Sequence, residues 1–184
     1  MAVSPPAPDL GKPCPDFLLP GVDDRTYALR DFAAARCLLV VFTCNHCPYA
    51  RAVEDRIIAL QREYSTGALQ VVAICANDAV AYPDDARPRL AERWREQRMP
   101  FPYLHDEAQS VARAFGAVCT PDFFLYDQDR ALRYRGRLDD NWKEPDKVTR
   151  RELKEAIDAL LADRRPAEAQ QPSLGCSIKW TSQD

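Results

Sequence analysis

The chain has 184 residues, of which 46% are hydrophobic and 29% charged. This composition is that of a globular protein and excludes a mostly disordered one. The length predicts one domain with an extension. Lysine and arginine number 25 against 28 aspartate and glutamate residues, a net charge of −3, and there is no basic block. We therefore expect no nucleic-acid partner.

The first ten residues, MAVSPPAPDL, contain neither the basic nor the apolar region of a targeting signal. The longest apolar run, Cys37–Phe42, is far shorter than the roughly 20 residues that span a bilayer. Seven cysteines, an odd number, lie mostly isolated along the chain, unlike an extracellular disulfide framework. These features predict a cytoplasmic protein with no membrane partner.

Residues 1–15 hold five prolines and are predicted to form an extended arm. A short strand is expected at residues 16–19, a peripheral strand at 26–29 from its polar and apolar alternation, and a helical turn at 30–35. The continuous β-branched and aromatic run Cys37–Phe42 predicts a central strand that is buried on both faces.

A helix is predicted to begin at Pro48, because apolar residues recur at steps of three and four: Ala50, Val53, Ile57, Leu60 and Tyr64. Leu69–Cys75 is then a second buried strand, and together these elements make a parallel βαβ unit. The polar, proline-containing residues 77–88 lead into a short charged helix at 90–97, with Trp94 as its apolar anchor. We interpret this segment as an insertion.

Asp106 and Gln109 resemble a capping box for a helix that ends at Gly116. Residues 123–126 and 131–135 are separated by four turn-forming residues and predict an antiparallel hairpin.

The final helix is expected to start near Asp146 and to bury Leu153, Ala156, Ile157, Leu160 and Leu161. The domain therefore covers residues 16–163, and residues 164–184 form a polar tail. That tail carries one apolar cluster at 176–180, which we expect to dock on the domain as an added edge structure.

Cys44 and Cys47 are separated by two residues and lie where the central strand passes into the first long helix, which Pro48 opens. Such a pair can close a small disulfide, and the helix N-terminus favours a thiolate on the first cysteine. The alternative is half of a zinc site, but a structural site needs two further ligands and no second close pair exists. The pattern favours redox chemistry without a metal.

With this motif in place, the chain resembles the thioredoxin superfamily, and more closely the thioredoxin-like proteins of the peroxiredoxin branch (alkyl hydroperoxide reductase/thiol-specific antioxidant). The resemblance covers about residues 9–163 and includes the extra N-terminal strands, the helical insertion and the Thr120–Pro121 step. It implies an α/β thioredoxin-like fold, with a central mixed sheet flanked by helices. It also implies that Pro121 is a cis-proline and that Thr120 shapes the substrate-binding face beside the disulfide.

The chain departs from the family at several positions. Thr43 replaces the tryptophan of thioredoxins, and Asn45 and His46 replace the glycine and proline between the cysteines. His46 resembles the inter-cysteine histidine of periplasmic disulfide-forming enzymes, and its imidazolium is expected to lower the pKa of Cys44 below the free value of about 8.5. The preceding strand lacks the buried carboxylate of thioredoxin, so the proton acceptor for Cys47 stays open.

Peroxiredoxins place threonine three residues and proline seven residues before the peroxidatic cysteine. Counting back from Cys47 gives Cys44 and Val40, and counting back from Cys44 gives Val41 and Cys37, so neither register supplies the motif. The Cys47–Pro48 step does resemble the Cys–Pro of peroxiredoxins.

We therefore predict a thiol–disulfide oxidoreductase of redox homeostasis in which Cys44 attacks and Cys47 resolves the mixed disulfide. The dithiol serves in place of a cofactor, and the partners are protein or small-molecule disulfides and a thiol reductant or reductase. Two alternatives stay open, a thiol-dependent antioxidant peroxidase and a non-catalytic redox sensor or binding module. Cys176 is either a packed side chain or a third redox thiol, and Cys119 either packs or approaches the site.

Overall fold

The computed structural model describes residues 2–181, so Met1 of the predicted arm and residues 182–184 of the predicted tail lie outside the described residues. The strands, in chain order, are β1 Ala2–Val3, β2 Leu18–Pro20, β3 Thr26–Ala28, β4 Cys37–Phe42, β5 Leu69–Cys75, β6 Tyr103–His105, β7 Cys119–Thr120, β8 Asp122–Tyr126, β9 Leu132–Tyr134 and β10 Gly175–Ser177. The α-helices are α1 Pro48–Glu63, α2 Arg87–Glu96, α3 Ser110–Phe115 and α4 Glu152–Leu161, and short 3-10 turns occur at Leu29–Phe32, Pro83–Asp85 and Pro145–Lys147.

A five-stranded mixed sheet in the order β6-β5-β4-β8-β9 forms the centre of the fold. β4 pairs in parallel with β5 and antiparallel with β8, and β8 and β9 form the predicted hairpin. Every residue of β4 is buried, because its apolar side chains face a core on each side of the sheet. The predicted central mixed sheet is confirmed.

Two apolar cores cover the two faces of this sheet. One contains Leu39 and Val41 of β4 with the buried faces of α1 and α4, and it also holds both cysteines of the motif. The other contains Leu38, Val40 and Phe42 with Phe115 and the aromatic residues packed around it. The two cysteines that follow β4 thus lie in the same core as Val41 and the buried face of α1.

Two predicted helix starts were wrong. The last helix begins at Glu152 and not near Asp146, because the preceding segment is tied back by Asp140, whose carboxylate accepts the N–H of Thr149 at 2.9 Å. The helix α2 starts at Arg87, and Leu90 is its fully buried residue.

Trp94 is only partly buried, packing against the α1-side core while its indole N–H donates to the carbonyl oxygen of Phe101 at 2.8 Å.

Asp106 caps α3 by accepting the N–H of Ala112 at 2.7 Å. Gln109 completes no capping box, because its backbone is left-handed, with φ of 60°, and its side chain binds the carbonyl oxygens of Ala76 and Lys179.

The tail and the arm form a second, three-stranded sheet in the order β1-β10-β7. Antiparallel pairing sets Cys176 opposite Thr120 on one side and Ala2 on the other. Gly175 permits this close approach, because a Cβ there would lie 2.2 Å from the carbonyl oxygen of Thr120. Ile178 is buried beyond the strand, so residues 175–178 pack on the domain. In the described part of the chain, no helix combines the length and the apolar character that a membrane span requires.

Candidate active site

The two motif cysteines lie at the junction of β4 and α1. Thr43 extends the sheet by donating its N–H to the carbonyl oxygen of Ile74 at 2.9 Å, and Cys47 is the residue that precedes the first turn of α1. Pro48 occupies the first helical position, where no intrahelical N–H bond is lost. Cys44 is 2% exposed and Cys47 0% exposed, so both thiols are withdrawn from water.

Thr120 brings the loop before β8 against both cysteines. The Thr120–Pro121 peptide bond is cis, which is the isomer that the resemblance implies. The Thr120 hydroxyl lies 3.3 Å from Cys44 Sγ, and Cys47 Sγ donates to the Thr120 carbonyl oxygen at 3.0 Å. One residue thus contacts both sulfurs, one through its side chain and the other through its backbone.

A buried carboxylate that the sequence analysis missed faces the motif from the insertion. Asp85 is 0% exposed and accepts the backbone N–H of Asn45 at 2.7 Å. It also bonds His46 Nδ1 at 2.6 Å and accepts from the Asn77 amide at 2.8 Å. Asp85 therefore holds the loop between the cysteines in place from a position 38 residues after Cys47 in the sequence.

His46 is held by Asp85 and Tyr82, and one of its ring nitrogens lies within 4.8 Å of the Cys44 sulfur. Its Nδ1 is engaged by Asp85, and its ring stacks on Tyr82 with centroids 4.7 Å apart. The imidazole is therefore oriented toward the carboxylate, whose negative charge lies in the same small cluster as Cys44.

The pKa order of the two thiols is the reverse of the expected one. The pKa of Cys44 is raised, first by its hydrogen bond to Cys47 and then by burial and the charge of Asp85. The pKa of Cys47 is lowered to about 4, chiefly because the Cys44 thiol donates to the Cys47 sulfur. The prediction of a lowered pKa at Cys44 was therefore wrong.

The contacts of Cys47 define two proton arrangements. When both cysteines are protonated, the Cys47 thiol donates to the Thr120 carbonyl oxygen. After one proton is lost, the charge is held at Cys47, toward which the Cys44 thiol, the N–H of Ala50 and the Cys176 thiol are directed. The N–H of Ala50 is one of the free amides at the start of α1, where a negative charge is stabilised.

Cys44, His46 and Asp85 are also a set of potential metal ligands, since one donor atom of each lies within 4.8 Å of the others. Both Asp85 oxygens already accept hydrogen bonds, from the Asn45 N–H, the Asn77 amide and His46 Nδ1. An ion bound here would have to displace these donors. The contacts are those of a hydrogen-bonded carboxylate that supports the loop.

The remaining cysteines separate into two groups. Cys176 lies beside Cys47, whereas Cys119 turns away, with its sulfur 3.4 Å from the Pro121 carbonyl oxygen and 3.9 Å from Ser173 Oγ. Burial raises the pKa of Cys37 to about 11 and that of Cys14 to about 12. These buried thiols behave as small apolar side chains.

Comparison with known proteins agrees with this architecture. Residues 10–135 match the model of the AhpC/TSA family. The chain belongs to the AhpC/TSA family. Its members are thioredoxin-like redox proteins, so the predicted fold is confirmed and the motif lies in a family of thiol-based redox chemistry.

Solved structures extend the comparison to nearly the whole chain. An uncharacterized conserved protein from Geobacillus kaustophilus is 41% identical, with a TM-score of 0.92, and the match covers 100% of this chain and 98% of that one. A hypothetical protein from Sinorhizobium meliloti 1021 is 39% identical, with a TM-score of 0.93, covering 98% and 99%. Peroxidoxin BcpB from Mycobacterium tuberculosis, 19% identical with a TM-score of 0.61 over 84% and 97%, shares the fold. No curated protein matches this chain.

Asp85→Asn tests the role of the buried carboxylate. Removing its charge takes away one cause of the raised pKa of Cys44, so we expect Cys44 to alkylate severalfold faster at neutral pH. Mass spectrometry after brief iodoacetamide treatment over a range of pH measures this rate. The matched control is Asp84→Asn, because Asp84 is exposed and offers only its backbone carbonyl to Asn45. An unchanged Cys44 profile in Asp85→Asn would show that Asp85 does not act on this thiol.

Proposed function

We propose that this protein is a thiol–disulfide oxidoreductase in which Cys44 forms the mixed disulfide with substrate and Cys47 resolves it. The observation that carries the proposal is the contact between the two buried thiols at the start of α1, where the pKa of Cys47 is lowered to about 4. A dithiol that holds one negative charge at neutral pH has a nucleophile available for exchange with a disulfide.

The surroundings of the two sulfurs support this division of roles. Cys47 is 0% exposed, and its neighbours are Cys44, the Thr120 carbonyl oxygen, Cys176 and the first turn of α1. Cys44 shares its remaining side with the Thr120 hydroxyl and with His46, whose side chain is 20% exposed. A substrate therefore approaches at Cys44.

The reaction balances within these groups. The Cys44 proton passes to the Cys47 thiolate, and the Cys44 sulfur attacks one sulfur of the substrate disulfide and expels the other as a thiolate. Cys47 then loses its proton to that leaving thiolate and attacks the Cys44 sulfur, which releases the second half of the substrate as a thiolate. The substrate gains two electrons and one proton from the dithiol, its second thiolate takes a proton from water, and the protein retains a Cys44–Cys47 disulfide.

Turnover with a protein disulfide tests the proposal. We expect the protein, recycled by a dithiol reductant, to accelerate the reduction of insulin disulfides, and to consume hydrogen peroxide far more slowly. Parallel assays of insulin precipitation and peroxide loss at equal protein concentration give the comparison. Stoichiometric oxidation of Cys44 and Cys47 without turnover would instead support the redox-sensor alternative.

A thiol-dependent peroxidase is the second candidate, and the contacts of Cys47 favour it. Cys47 precedes Pro48, as in the peroxiredoxin Cys–Pro step, and holds the thiolate. Cys44 stands three residues earlier, where peroxiredoxins have threonine, and donates its thiol proton to Cys47. Attack of the Cys47 thiolate on peroxide would yield a sulfenic acid and, with one proton, water. Cys44 would then condense with the sulfenic acid and release a second water.

Stopped-flow kinetics with hydrogen peroxide decides between the two functions. A rate orders of magnitude above that of a free thiolate, retained in Cys44→Ser and lost in Cys47→Ser, would promote the peroxidase. For both functions we propose a cytoplasmic location, which the odd number and isolation of the cysteines support.

A further inference from the structure

The C-terminal strand β10 lies against the same residue that organises the dithiol. Cys176 is the antiparallel partner of Thr120, and directly paired residues of two strands project their side chains to the same face. The Thr120 hydroxyl contacts Cys44 on this face, and the Thr120 carbonyl oxygen accepts from Cys47. Three thiols therefore surround one residue.

Contact between Cys176 and Cys47 completes the cluster. The two thiols lie close enough for each to shift the pKa of the other, and Cys176 packs against the core that contains Cys44 and Cys47. Cys47 thus has both Cys44 and Cys176 as neighbours. Cys176 is half-buried, whereas the other two are buried, so it is the most exposed thiol of the cluster.

We propose that Cys176 is a third redox thiol, which takes over the disulfide from Cys44 and presents it to an external thiol reductant as a Cys47–Cys176 bond. This inference rests on the proposed oxidoreductase function and extends it to the recycling step. The substrate then reacts at Cys44, and the reductant reacts at Cys176 in the tail strand β10.

The exchange needs no further reactant. Cys176 loses its proton and attacks the Cys47 sulfur of the Cys44–Cys47 disulfide, so a Cys47–Cys176 bond forms and the Cys44–Cys47 bond breaks. The Cys44 sulfur leaves and takes up the proton. An external dithiol then attacks the Cys176 sulfur and expels Cys47, and the second thiol of the reductant completes the reduction.

The acidity of Cys47 suits the second step, in which Cys47 is the leaving group. The pKa of Cys47 is lowered to about 4, and a thiol of low pKa is the better leaving group when Cys176 is attacked. Burial and the neighbouring Cys47 raise the pKa of Cys176 to about 11 in the reduced protein. The Cys47 charge is absent once Cys47 is in a disulfide, so Cys176 becomes easier to deprotonate in the state in which it must attack.

Peptide mapping of the full-length protein tests the proposal. The reduced protein is treated with one equivalent of glutathione disulfide, quenched in acid at intervals, alkylated and digested. We expect a Cys44–Cys47 bond first and a Cys47–Cys176 bond after it. In Cys44→Ser, we expect Cys47 and Cys176 to link directly. Cys176 recovered only as a free thiol in both proteins would overturn the proposal.

Recycling kinetics supply a second readout. Cys176→Ser should slow reduction of the oxidised protein by dithiothreitol about tenfold, because the remaining disulfide is buried. The matched control is Cys119→Ser, whose thiol is on the adjacent strand β7 and turned away from the cluster, and it should recycle at the parent rate. Equal rates for both variants would contradict the proposal.

These outcomes separate the two hypotheses. Failure of glutathione disulfide to oxidise Cys44 and Cys47 in the parent protein would refute the oxidoreductase function. Formation of the Cys44–Cys47 bond with no link to Cys176 would leave that function standing and refute the third thiol alone.

Discussion

Replacing Cys44 by serine is expected to lower turnover with a disulfide substrate by about 1,000-fold or more. A serine hydroxyl keeps its proton at neutral pH and forms no stable bond to sulfur, so neither the mixed disulfide nor the Cys44–Cys47 bond is made. The measurement is the steady-state rate of insulin reduction with a fixed concentration of dithiol reductant. Cys119→Ser, with its thiol directed at Pro121 and Ser173, is the control.

Cys47→Ser should fail in a different way. Cys44 remains, but the resolving thiol is gone, so the mixed disulfide with substrate accumulates and adds the mass of the substrate thiol to the protein. Intact mass spectrometry after reaction with a small disulfide detects the adduct, and peptide mapping locates it. The opposite result would be an adduct on Cys47 in the Cys44→Ser variant and no adduct on Cys44 in the Cys47→Ser variant. It would show that Cys47 attacks the substrate and Cys44 resolves the mixed disulfide.

The strands of the central sheet were predictable because local sequence and tertiary position agree in them. Cys37–Phe42 and Leu69–Cys75 are continuous apolar runs, and the structure places both as neighbouring parallel strands at the middle of the sheet. The helix that begins at Pro48 was predictable for the same reason, since its apolar face packs in the same core as side chains of both strands. Apolar patterns of this kind predict the structure well, because burial of the apolar side chains stabilises the strands and the helix that carry them.

The carboxylate beside the cysteines could not be found in this way. Asp85 lies in a polar segment that carries no periodic pattern, and its burial depends on donors supplied by Asn45, His46 and Asn77. The position of this segment in the chain could have indicated that it lies near the cysteines, because it follows β5, which is the parallel neighbour of β4. Loops at the carboxyl ends of adjacent parallel strands meet at the same edge of a sheet.

The thiol acidities show a further limit of sequence reasoning. The spacing of Cys44 and Cys47 indicates redox chemistry, but the pKa order depends on which sulfur receives the hydrogen bonds. In the structure the donors converge on Cys47, while Asp85 and burial act against charge on Cys44. A histidine between two cysteines therefore does not by itself fix which of them is acidic, because its own partner decides where its ring points.

Beneath the Thr120–Pro121 loop lies a buried ion pair that fixes the start of β8. Arg135 is 8% exposed and Asp122 0% exposed, and the guanidinium bonds the carboxylate at 2.9 and 3.3 Å. Arg135 also donates to the Gly116 carbonyl oxygen at 2.8 Å, and Asp122 accepts the N–H of Val118. The pair thus joins the residue that follows β9 to both ends of the segment that carries Thr120.

Arg135→Met is expected to lower the free energy of unfolding by about 3–5 kcal/mol, because it leaves Asp122 buried without its cation. Denaturant unfolding under reducing conditions measures the change. The matched control is Arg133→Met in β9, two residues earlier, whose ion pair with Asp127 at 2.5 Å is partly exposed and should contribute less than about 1 kcal/mol to stability. A loss below about 1 kcal/mol in Arg135→Met would contradict the prediction.

The pH dependence of this variant provides a check on the cause. Burial already raises the pKa of Asp122 in the folded protein, with Arg135 opposing the rise, so removal of Arg135 should raise it further. A carboxyl group with a raised folded pKa destabilises the fold as pH climbs above its unfolded pKa of about 3.9. The deficit of Arg135→Met should therefore be smallest in acid and grow toward neutral pH, and the double variant Arg135→Met with Asp122→Leu should recover stability at neutral pH. A deficit that does not vary with pH would assign the loss to packing against Phe124, over which the Arg135 guanidinium lies at 4.4 Å.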